Sequence, residues 1–175
     1  MLRTTIDKAY IKRTIRPLYG WTQATPADMK LDTEVDISGF PVYPGMVAER
    51  TSGQQVTLLG NADTAADSLP FGLFGLYIGG EGIDEVADST VNSVGVWVLA
   101  PDAQFEVMAP AFLDTATWDD EGEVLVHALV DGDNRGKLVP AGTTGEGTVS
   151  AQPVARLIEV VSDHSIIIGG LAVRA

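Results

Sequence analysis

The 175-residue chain contains no cysteine. Disulfides and thiolate metal sites are therefore excluded. No apolar run approaches the roughly 20 residues that a membrane-spanning helix needs. The N-terminus starts with basic residues but lacks an apolar segment and a small-residue cleavage site, so it does not read as a secretory signal. Aromatic residues are sparse, at 7%. Catalytic signatures are missing as well. There is no G-x-S-x-G elbow, no H-x-x-x-H pair, no phosphate-binding loop with its Lys and Ser/Thr, and no dinucleotide-binding glycine fingerprint. The glycine-rich stretch GGEG at 79–82 reads as a plain loop. No catalytic residue, metal ligand or cofactor is expected.

Positive charge is scarce and unevenly spread. The chain has 11 Lys and Arg against 24 Asp and Glu, a formal charge of -13. Residues 1–30 nevertheless hold six basic and only two acidic side chains. The remaining 145 residues hold five basic and 22 acidic ones. Such an acidic body repels nucleic acid and anionic membranes. The basic segment taken alone suits either of these, or an acidic protein surface. Its anchors are Arg3, Lys8, Tyr10, Lys12, Arg13, Arg16, Tyr19 and Trp21. Arginine and aromatic residues are favoured anchors at interfaces. Residues 1–40 lack a clean hydrophobic period and are broken by Pro17, Gly20, Pro26 and Gly39. They read as an extended N-terminal arm, with a strand or short helix inside it as an open alternative.

Residues 41–175 read as an all-β body, a small barrel or sandwich of short antiparallel strands. Nine runs rich in Val, Ile, Leu and aromatics are cut by Gly, Pro, Asn and Asp. They fall at 45–50, 54–60, 71–80, 93–101, 103–110, 123–130, 136–142, 153–161 and 164–173. Alternation places Phe105, Val107 and Ala109 on one face of their strand. In the run at 153–161 it places Val154, Arg156, Ile158 and Val160 opposite Ala155, Leu157, Glu159 and Val161. Short helices are conceivable at 62–68 and 81–88. The stretches YPGMVAERTSGQQVTLL…LPFGLFGLYI and LVDGDNRGKLVPAG…AQPVARLIEVV share a turn–hairpin–strand pattern, consistent with two related β units.

Four constellations invite a chemical reading. DGDNRG at 131–136 begins like a calcium loop, but Arg135 and Gly142 occupy its fifth and twelfth ligand positions, so a hairpin turn is expected. WDDEGE at 118–123 clusters Asp119, Asp120, Glu121 and Glu123 beside Trp118, and reads as a solvated loop. His127 lies within a strand run and His164 at a turn, without a motif to join them. Phe71, Phe74 and Tyr77 are interleaved with Gly72 and Gly75. They belong either to a bulged core strand or to a subunit interface.

The segments PVYPGMVAE, GDNRGKLVPAG and QPVARLIEVV, set in a cysteine-free β body, resemble small head-decoration (cement) proteins of tailed bacteriophages. The resemblance covers residues 40–175 and implies a non-enzymatic virion protein, made in the host cytoplasm. Such a protein binds the outer face of the major capsid protein shell and locks neighbouring capsomers as a homo-oligomer, with a trimer favoured. It implies no contact with nucleic acid or membrane. The arm would then contact the capsid or a neighbouring copy. Competing readings are a tail-tube or head-completion subunit, a carbohydrate-binding or hydrolytic β domain using Trp97 or Trp118 and the adjacent acids, and an interaction module whose basic arm binds nucleic acid.

Overall fold

The computed structural model describes residues 14–19, 25–32, 42–60, 66–77, 94–119 and 121–171. Among them there are eleven strands and no helix. They are β1 (Ile15–Tyr19), β2 (Thr25–Leu31), β3 (Val47–Ser52), β4 (Gln55–Leu58), β5 (Pro70–Tyr77) and β6 (Val94–Val98), then β7 (Gln104–Met108), β8 (Leu125–Ala128), β9 (Leu138–Pro140), β10 (Ala155–Ser162) and β11 (Ser165–Gly169). All nine runs expected from the sequence contain a strand. The region 62–68 lies largely outside the described residues, with Ala66 and Asp67 in a turn, and 81–88 lies outside them entirely.

The strands divide into two sheets. β2-β4-β3-β5-β6 close into a five-stranded barrel, and β1-β7-β11-β10-β8-β9 form a six-stranded sheet. Barrel closure depends on β2, which pairs antiparallel with β6 from Thr25 to Met29 and parallel with β4 at Lys30 and Leu31. β1 pairs with β7, setting Ile15 opposite Val107 and Arg16 opposite Glu106. The stretch read from sequence as an arm to residue 40 thus supplies one strand to each sheet. Ile15, Met29 and Leu31 are buried within it. A β-rich chain needs every sheet edge paired or protected, and these two strands take part in that.

One core joins the sheets. Phe105, Val107, Ile166 and Ile168 from the six-stranded sheet lie in the same apolar cluster as Val56, Leu58, Leu73 and Phe74 from the barrel. Trp97 of β6 leans on Phe105 of β7, with ring centroids 5.4 Å apart. A smaller cluster of Leu113, Leu129 and Val139 sits apart. The β9 edge is covered through a bridge from Leu138 to Phe112. Among the described residues, β1 has no partner on its outer side. Pro17 lies within it, which suits an edge strand because proline cannot donate to a ladder.

Candidate functional site

The calcium-like loop is a fastening. Both Asp131 carboxylate oxygens accept hydrogen bonds from Thr148, one from its backbone N–H at 2.7 Å and one from its hydroxyl at 2.5 Å. These bonds favour the ionised form and hold the Asp131 carboxyl below its ordinary range. Asn134 accepts from Lys137 Nζ at 2.9 Å. Arg135 reaches the barrel, where its guanidinium donates to the carbonyls of Leu59 at 2.6 Å and Leu58 at 2.8 Å. Burial pulls its pKa down, and the nearby Glu49 carboxylate opposes that shift. Glu49 in turn accepts from the Gly60 N–H at 2.9 Å. Next to Arg135, Gly136 has φ of 82° and accepts from the Val47 N–H at 2.8 Å. A Cβ at Gly136 would sit 2.3 Å from Leu58 Cδ1. The loop DGDNRG is therefore a turn that clamps one sheet to the other.

The acidic loop does not converge on a reactive centre among its described residues. Trp118 packs edge-on against Phe112 with centroids 5.4 Å apart, and its indole N–H donates to the Leu113 carbonyl at 2.8 Å. Asp119 accepts from the Glu121 N–H at 2.9 Å, a local turn, and Glu121 and Glu123 are exposed. Asp120 lies outside the described residues. His127 makes a 2.8 Å contact with the Ser150 carbonyl. His164 stands at the surface, 3.5 Å from an Asp114 oxygen. The two histidines thus serve different neighbours.

The candidate interface residues separate. Phe74 is fully buried in the shared core, where it packs in the bulged strand that the sequence also allowed. Phe71 is half-buried, with the Arg50 guanidinium 5.7 Å from its ring centre. Tyr77 closes β5, and its side chain lies outside the described residues, as does that of Tyr19. Arg3, Lys8, Tyr10, Lys12, Arg13 and Trp21 lie outside them too. Arg16 is the one basic anchor that can be placed. It stands on β1 with its side chain 55% exposed and makes an ion pair with Glu106 on β7.

That ion pair marks a sheet surface that sequence reading did not single out. Glu106 is 8% exposed and also accepts from the Ser165 hydroxyl on β11 at 2.7 Å. Ile167 lies opposite Glu106 on one side and opposite Glu159 of β10 on the other. Ile158 and Arg156 cover Gly169, where a Cβ would lie 3.1 Å and 3.3 Å from their respective side chains. Arg16, Glu106, Ile167 and Glu159 thus form a row across four strands, on the face opposite Phe105, Ile166 and Ile168. The signal available in sequence was Glu106 between two core residues, but its partners come from strands distant in the chain.

An all-β protein, with the rings of Trp97, Phe105, Phe112 and Trp118 engaged in packing, is the class these features define. The phage cement protein family model matches residues 1–173, and the chain belongs to that family. No curated protein matches the chain. No solved structure matches it. Family membership makes it a structural component of a bacteriophage virion that interacts with the capsid and stabilises it.

Proposed function

We propose that the protein binds the outer surface of the phage capsid and stabilises contacts between capsomers, without catalysing a reaction. The observation that carries this reading is the division of charge. A body with 22 acidic side chains after residue 30 stays soluble at the high concentration that capsid coating requires. The basic, aromatic segment at the N-terminus supplies anchors for an acidic shell or a neighbouring copy. Arg3, Lys8, Tyr10, Lys12, Arg13, Arg16, Tyr19 and Trp21 are assigned to that contact. A homo-oligomer, with a trimer favoured, would present several arms together, and weak contacts repeated on a lattice add up to tight retention. Phe71 and Tyr77 are assigned to the contact between copies. Synthesis in the host cytoplasm precedes assembly.

Co-sedimentation of the full chain with undecorated particles tests the reading. Wild type should pellet with the particles, and a chain lacking residues 1–13 should remain largely in the supernatant. Equal pelleting of both would remove the arm from the mechanism. No pelleting of either would remove capsid binding by this chain.

A further inference from the structure

We infer that the outer face of the six-stranded sheet, centred on Ile167, is the surface that docks on the capsid. This inference rests on the proposed binding to the capsid exterior and names where the body itself makes contact. Three observations converge on this face. First, it carries apolar material toward solvent. Ile158 and Ile167 are half-buried, and Val161, in the β10 bulge beside them, is 48% exposed. Second, its charge departs from that of the rest of the molecule. Arg16 and Arg156 balance Glu106 and Glu159, so the face is formally neutral in a chain of charge -13. Charged groups oppose burial unless they are paired. Glu106 is already paired and nearly buried, and it fixes Arg16 in place. Third, β1 is the edge strand of this sheet, and the basic segment 1–13 precedes it. The arm therefore joins the body at the rim of the same face.

The occupant that fits is an acidic protein surface with an apolar centre, supplied by the capsid shell. Isoleucine and valine would lose water against it, Arg16 and Arg156 would meet its acids, and the basic segment would extend the contact from one edge.

The test is quantitative binding of the full-length protein to undecorated particles. Val161→Asp and Arg156→Glu alter exposed side chains on the face, and Val98→Asp places the same change on the barrel, where Val98 is 38% exposed. Circular dichroism and thermal unfolding should match wild type for all three. The expected result is a loss of affinity of about tenfold or more for each face variant and less than about twofold for Val98→Asp. If the face variants bind like wild type while deletion of 1–13 abolishes binding, the face is excluded and arm-mediated binding stands. If they bind particles normally but lose self-association by light scattering, the face belongs to a second copy and the inference is overturned. If wild type itself fails to bind, the inference falls together with the reading it rests on.

Discussion

Arg135 spends its hydrogen-bonding capacity on backbone, donating to Leu58 and Leu59 carbonyls, with Glu49 nearby. Replacing it with alanine leaves those carbonyls and a nearly buried carboxylate without their cation. Arg135→Ala should destabilise the protein by about 2–4 kcal/mol, measured by chemical denaturation. Arg135→Lys should recover only part of this, since an ammonium cannot reproduce the two-pronged geometry. Gly136→Ala should cost about 1–3 kcal/mol through its left-handed backbone and the clash with Leu58. Asp131 gives a pH signature. Its folded-state pKa is lowered by Thr148, so its contribution to stability is complete above the unfolded value. That contribution is lost as pH falls through the ordinary carboxylate range near 4 toward the lowered folded value. Thr148→Val should flatten this part of the pH–stability profile relative to wild type and leave the neutral-to-alkaline part with the same shape.

At the scale of elements, β1 and β2 decide how much of the N-terminus is dispensable. Removal of residues 1–13 spares both strands and should leave unfolding cooperative, with a midpoint within about 1 kcal/mol of wild type in equivalent stability. Removal through residue 31 opens the barrel between β4 and β6, strips β7 of a neighbour and deletes Ile15, Met29 and Leu31 from the core. That chain should lose cooperative unfolding in calorimetry. These two strands were also the least legible in sequence. Pro17 and Pro26 argue locally against a strand, yet Pro17 is tolerated on an edge, and Pro26 lies in the part of β2 that pairs with β6 alone. The parallel pairing of β2 with β4 joins segments with no local signal linking them. The nine later strands were legible because turn residues bracket each one. Strict alternation in β10 held through Ala155 and Leu157, both buried, and then broke. The ladder slips at Ile158, so Glu159 faces Ile167 and Val160 turns toward the core. A bulge of this kind resets the face without marking the sequence. Hence the row through Glu106 and Ile167 could not be seen before the register was known.

For the whole molecule, the separation of charge predicts how binding responds to salt. Contacts made by basic side chains are screened as ionic strength rises, because the Debye length shrinks from about 10 Å at 0.1 M to about 3 Å at 1 M. Particle binding by the full chain should weaken steeply across that range. Any residual binding by the chain lacking residues 1–13 should vary less, because apolar contact at the sheet face is not weakened by screening. The fastening of barrel to sheet through Arg135 and the shared core lets force on either sheet reach the other. Quantitative protein mass spectrometry of purified particles of the source phage tests the central claim most directly. A cement role predicts copy numbers comparable to those of the major capsid protein. A few copies per particle would place the protein at the neck or tail instead, and absence from particles would contradict the account.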